Sequence, residues 1–342
     1  MNIYPILRKI NDSPKTVTDE EIIHLISYQV NQSNLDNISR TKAYAQFFQS
    51  HPEIRWAFLA SMVSRNTGWN MCDLEGEWHP KLLSKHFRYQ LFLTYERANW
   101  LIFQDAYPQL LVYHYMTNIK RNLFHILPKF NVSQFMVREW RNFQQNKDEE
   151  RLLFALIVNE QHLIQRPVID NPIFKKHVFK TKLFGLQDSF HYSCVLFPTK
   201  SGKLYGSSVS QFRNHKERIK LGKRLASILF APNLLPAFLA FSNETEPTGS
   251  RWDYEQYQGK KKFRTTPFLR TTFPVIHHTI SDTDSCLWEK YFRVGRNWRS
   301  AVLPDKAIDL TDWFEGKQYE MKAFISVEQA FQYRKKQKIN RR

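Results

Sequence analysis

Ten consecutive residues, Ser64-Arg65-Asn66-Thr67-Gly68-Trp69-Asn70-Met71-Cys72-Asp73, gather a guanidinium, two amides, a carboxylate and an indole. An arginine forks onto carboxylates or phosphates, and an asparagine offers both donors and an acceptor. Such groups held on a turn by a scaffold are a common form of binding site. Gly68 supplies a left-handed stop for the helix before it. The stretch predicts a pocket made by Arg65, Asn66, Trp69, Asn70 and Asp73, for a small molecule bound or turned over. The competing reading is a helix cap, in which Arg65 pairs with Asp73 and the amides satisfy turn carbonyls.

A second chemistry is electrostatic. Lys216, Lys220, Lys223 and Arg224 fall broadly on one helical face, Arg293, Arg296 and Arg299 recur every three residues around Trp298, and 260–264 and 334–342 add more bases. Residues 1–170 carry 19 Lys and Arg against 17 Asp and Glu, whereas 171–342 carry 31 against 15. A net charge of +18 with its excess in one half points to an anionic partner. Bases that neutralise phosphates, interleaved with aromatics that stack, suit nucleic-acid or other polyanion binding. No helix-turn-helix or zinc-finger pattern stands out, so readout of a particular sequence is not expected. Scattered solvated charge that keeps the chain in solution explains the same composition.

The basic stretch runs directly into 225–241, which has no charge but is broken by Pro232, Asn233 and Pro236. Across 216–241 the bases could engage anionic headgroups while Leu229, Phe230, Leu234, Leu235, Phe238 and Leu239 enter a membrane surface. A buried helical hairpin explains the run equally well and is the stronger expectation.

Catalytic signatures are absent. There is no G-x-x-x-x-G-K-[ST], G-x-G-x-x-G, G-x-S-x-G or H-E-x-x-H. Glu96, Asp105, Glu160 and His162 are acids and a base on helices, but Glu160 and His162 are two apart and do not share a face. No metal site and no cofactor are therefore expected. Cys194 with His191, and Cys286 with His277 and His278, are conceivable nucleophile and base pairs, set against the commoner inert buried cysteine. Whether the chain is an enzyme stays open. Three distant cysteines, Cys72, Cys194 and Cys286, fit a reducing compartment. No signal peptide and no apolar run of about 18 residues are evident, so a cytoplasmic protein is expected.

These residues must be positioned by helices. Thr18-Asp19-Glu20-Glu21 is a capping box, Ser50-His51-Pro52-Glu53 repeats the signal, and a long amphipathic pattern spans 82–107. Pro108 marks a kink or a fresh start, with helix resuming to about 127, and further helices cover 132–145 and 147–165. Beyond Pro167 the texture turns irregular. A small hairpin through Ser201-Gly202-Lys203, a helix over 214–230, an exposed loop over 242–264 and a last helix from Ser326 are predicted. Hydrophobic residues at 42% and charged at 24% are ordinary for a globular chain, while aromatics at 15% predict an aromatic core. The expected fold is mainly α, a multi-helix globular bundle with an irregular, basic C-terminal portion and one small β-hairpin. Its parts are a helical core over 1–166 and a basic, mixed portion over 167–342 packed on that core. Oligomeric state is not legible.

The string from Ser64 to Met71, with Asn99-Trp100-Leu101-Ile102-Phe103-Gln104-Asp105-Ala106-Tyr107-Pro108-Gln109-Leu110 and Ile157-Val158-Asn159-Glu160-Gln161, resembles the YppC-like proteins, an uncharacterised Bacillus-type family. The resemblance covers most of the chain and implies a soluble bacterial protein. It carries no activity to transfer. Thr67 stands where that family has Gly, and Cys72 where Thr is expected, which argues against a chemical role for either side chain.

Overall fold

Thr18 accepts a hydrogen bond from the Glu21 N–H while the Glu21 carboxylate accepts from the Thr18 N–H. This reciprocal cap opens α2 (Asp19–Ser33), which follows α1 (Tyr4–Asp12). Asp36 caps α3 (Asn37–Ser50), and α4 (Arg55–Asp73) and the single turn α5 (His79–Leu82) come next. Ser84 caps the 35-residue α6 (Lys85–Ile119). Lys120 ends it in the left-handed region at φ 54°. Ser133 and Asp148 cap α7 (Gln134–Asn146) and α8 (Glu149–Leu163). Strands β1 (Cys194–Pro198) and β2 (Leu204–Ser208) pair antiparallel with Leu196 opposite Gly206. Asn214 caps α9 (His215–Leu229), and α10 (Leu235–Glu244) follows. The computed structural model describes residues 3–181, 194–209, 211–259, 263–279, 288–295, 297–302, 308–320, 322, 323, 325 and 326. The fold is mainly α with one small hairpin, as the periodicity predicts.

Four local expectations fail, each for a tertiary reason. Gly68 does not stop α4, which continues to Asp73. A mid-helix glycine costs about 1 kcal/mol against alanine, but Arg65, Asn66, Trp69, Met71 and Cys72 are all buried around it and hold the helix. Pro108 does not divide α6. It withholds one N–H from the ladder, yet Tyr107, Pro108, Gln109 and Leu110 are buried together, and packing overrides the break. Ser50 closes α3 instead of opening a helix, and His51 and Glu53 turn to Tyr113 and His114 of α6. The segment 242–264, read as an exposed loop, contributes fully buried Ser250, Asp253, Tyr254 and Glu255. A helix also occupies 311–320, and most of the helix expected from Ser326 lies outside the described residues.

The core is aromatic. Tyr44 packs edge-on to Trp56 with centroids 5.4 Å apart, Phe103 stacks on Tyr107 at 4.4 Å, and Tyr113 on Trp140 at 5.6 Å. Helix α9 lies hard against α8. A Cβ on Gly222 would sit 2.7 Å from Ile157 Cγ2, so only glycine permits this approach.

Within the core, the Arg40 guanidinium of α3 forks onto Glu96 of α6, at 2.9 Å and 2.5 Å. Asn34 Oδ1, Asn37 Oδ1 and the Asn34 carbonyl accept its remaining protons, and His278 stands 3.6 Å from Glu96. Arg40 beside Glu96 holds that carboxyl below its ordinary range despite burial. Removing one member of such a pair leaves a buried charge alone, at a cost of about 3–5 kcal/mol. Glu96→Leu should therefore lower the unfolding free energy by about that amount in urea titrations. Arg40→Met/Glu96→Leu should recover most of the loss. Equal losses in the single and double variants would contradict this.

Candidate functional site

Residues 64–73 form the C-terminal half of α4, and their polar groups point in several directions. Arg65 donates from Nη2 to the Thr245 carbonyl at 2.7 Å, sets Nε 3.4 Å from Asp253 and lies over the Phe241 ring. Trp69 Nε1 donates to the same Asp253 carboxylate at 3.0 Å. Asp73 accepts from Arg251 at 2.5 Å. Asn66 donates to the Cys194 carbonyl and accepts from the Leu196 N–H, so its amide grips β1. The four side chains form a clasp that holds 194–255 onto α4. The helix-cap pairing of Arg65 with Asp73 does not occur, because each has an opposite charge on the incoming segment.

Asn66 and Asn70 also border a cavity of about 210 Å³ among α3, α4, α6, α8 and α9. Arg65, Trp69 and Asp73 are not in its wall. Asp73 faces a different cavity, of about 240 Å³, together with Arg251 and His79. The five residues of the predicted pocket thus divide among two cavities and the packed interior. The polar wall of the first cavity includes Tyr44, Glu160, Gln161 and Arg218. Gln161 links two of them, donating to Glu160 Oε1 at 3.0 Å and accepting from Arg218 Nε at 2.9 Å. Sequence reasoning missed Tyr44 and Arg218, since one has the pattern of a core aromatic and the other sits within a basic run.

The helical acids do not converge. Glu96 is neutralised by Arg40. Asp105 accepts from Gln109 at 2.8 Å and Asn159 at 2.6 Å, with no cation beside it, and burial pushes its carboxyl up to about 7. Burial pushes Glu160 to about 7 as well, although Gln161 and Trp56 donate to it. His162 faces His215 at 4.2 Å between centroids, and burial lowers them to about 3 and about 4, leaving two neutral rings. Among the described residues, no group of three or more His, Cys, Asp or Glu could hold a metal. Cys194 is buried and its thiol is pushed up to about 12, which suits packing and not attack. His191 and Cys286 lie outside the described residues.

The basic residues divide as well. Lys216 and Lys220 are exposed on α9, and Lys220 meets Glu217 at 2.8 Å. Lys223 is buried, its ammonium donating to the Trp298 carbonyl at 2.5 Å and the Ser300 carbonyl at 2.7 Å. It points away from solvent, contrary to its expected place on the open face. Arg224 is half-buried, while Arg293 and Arg299 are exposed. Arg296 and 260–262 lie outside the described residues. His215 stacks on Phe292 at 5.9 Å, so 288–302 meets α9 at its start as well as at Lys223. In the apolar run after it, Leu229 and Phe238 are fully buried and Leu234 nearly so. No helix among the described residues is long and apolar enough to cross a membrane.

The chain belongs to the family described as protein of unknown function (DUF2515), which matches residues 32–315. It is similar to the uncharacterized protein YppC of Bacillus subtilis (strain 168), with 46% identity over 309 residues that cover 90% of this chain and 96% of that protein. No solved structure matches.

The raised carboxyl of Asp105 has a consequence in pH. Its folded value of about 7 lies above the ordinary 3.8, so the native state holds a proton that the unfolded state has lost. Stability therefore falls as the pH rises from about 4 to about 7 and levels off above 7, where both states are ionised. Asp105→Asn keeps the acceptor for Gln109 and Asn159 but cannot ionise. Its unfolding free energy should fall less than that of the wild type from about pH 4 to about pH 7, measured in denaturant. Parallel pH profiles would contradict the assignment.

Proposed function

We propose that this protein binds nucleic acid without sequence preference, through the face where α9 meets 288–302. The packing of these segments is the observation that carries the reading. Lys216, Lys220 and Arg224 are spaced by four, so they form one stripe along α9. Lys223, one step round the helix, pins the 298–300 backbone beside that stripe. The same segment brings exposed Arg293 and Arg299, with Arg299 lying 5.3 Å over the Trp298 ring. Exposed Tyr291, with Arg166 at 3.6 Å over its ring, offers an aromatic surface of the kind on which bases stack. Glu217, beside the stripe, holds Lys220 in a largely solvent-exposed pair worth little, so phosphate can displace it.

The test is filter retention of a thymidine oligonucleotide as a function of salt. Each phosphate contact on single-stranded nucleic acid contributes about 0.7 to the slope of log K against log salt. Lys216→Glu/Lys220→Glu/Arg299→Glu should shallow that slope by about 2 and weaken binding at every salt concentration. Duplex DNA and RNA should be retained too. Absence of retention by the wild type at low salt, or an unchanged slope in the variant, would overturn the proposal.

A further inference from the structure

The cavity among α3, α4, α6, α8 and α9 has no part in a surface that tracks phosphates, yet its wall is not that of a packing defect. Its volume of about 210 Å³ exceeds the roughly 150 Å³ of an apolar cavity that accepts benzene. Leu59, Val63, Leu91, Ile102 and Leu225 make most of it apolar. Into this wall is set the Tyr44 hydroxyl, with no hydrogen-bond partner although Tyr44 is only 3% exposed. A buried hydroxyl without a partner is costly and rare. Tyr44 is held there by Trp56, Phe103 and Tyr107 on its flanks, so the hydroxyl cannot swing out to water.

Glu160 lines the same cavity, fixed by Trp56 Nε1 at 3.2 Å and Gln161 Nε2 at 3.0 Å. Tyr44 and Glu160 therefore line one cavity, each presenting an oxygen to it. We infer that the cavity binds a small uncharged molecule, one or two rings in size, whose single hydroxyl or carbonyl oxygen is held by Tyr44 and Glu160. Apolar walls supply the binding energy and the two oxygens fix the orientation, the usual division in a small-molecule site. The ligand is uncharged because the two groups that hold its oxygen are themselves neutral, burial raising the Tyr44 hydroxyl and the Glu160 carboxyl alike. Arg40 is neutralised by Glu96. Glu160 keeps its proton up to about pH 7 and can donate it to a ligand oxygen. Arg218 gives its protons to Gln161, Gln165 and the Phe212 carbonyl.

The test is calorimetric binding of three probes with the same rings to the full chain: naphthalene, 2-naphthol and 2-naphthoate. We expect 2-naphthol to bind most tightly. Tyr44→Phe should weaken it about tenfold, toward naphthalene, the size of one lost hydrogen bond. The same substitution should raise the thermal midpoint of the free protein, because it deletes the unpartnered hydroxyl. Glu160→Gln, which keeps the shape, should also weaken 2-naphthol. Ala98→Leu, which fills the cavity without touching a polar group, should abolish binding of both uncharged probes. Equal affinity for naphthol and naphthalene, tighter binding of 2-naphthoate, or binding undiminished by Ala98→Leu would each overturn the inference.

Discussion

The structure depends on one constraint: the buried acids and amides along α6 must be satisfied, and most of their partners lie on other elements. This helix spans about 50 Å at 1.5 Å per residue and is buried at intervals along most of that length. Glu96 takes Arg40 from α3, and Asp105 takes Asn159 from α8. Gln109 accepts from Trp140 of α7, Tyr113 donates to Glu53, and Tyr115 donates to Gln29 of α2. Each contact is specific in register, because a slip by one residue would bury a carboxylate or an amide unpaired. A helix tied at so many points does not break at Pro108. Hydrophobic burial supplies the drive to pack, and this row of polar contacts selects which packing.

The same logic extends into the second half of the chain. Arg65, Asn66, Trp69 and Asp73 present α4 as a row of sockets, and Thr245, Arg251, Asp253 and β1 fill them. Helix α9 is seated against α8 by Gly222 and by Arg218, which reaches Gln161 and Gln165. Lys223 then fixes the backbone of 298–300. The result is a division of labour among the bases. Those covered by a neighbouring segment secure the fold, and those left uncovered remain on the surface. Net charge alone does not distinguish them; what packs over each one does.

The parts legible in the sequence are those governed by local chemistry. Thr18 with Glu21, Asn214 before α9, and the glycine turn between β1 and β2 act within a few residues, and the structure has all three. The failures at Gly68, Pro108 and 242–264 have a common cause: each was read from a local preference that long-range packing overrode. The clasp shows the same limit for function. A guanidinium, two amides and a carboxylate in one stretch have the composition of a site, but their partners lie 128 to 184 residues away in sequence. Tyr44 was invisible because its significance is a missing partner, and Lys223 was misplaced because the segment that covers it lies 75 residues further along the chain. The recurring strings did reveal the family, since they need no geometry to be matched.

The proposed nucleic-acid face on α9 and 288–302 is separate from the cavity among α3, α4, α6, α8 and α9. Hydrogen–deuterium exchange of the full chain, with and without a saturating thymidine oligonucleotide at low salt, tests that separation directly. Slowed exchange is expected in 215–224 and 288–302, with α2 and α3 unchanged. Slowing confined to α2 and α3, or no slowing anywhere despite retention of the oligonucleotide, would contradict it.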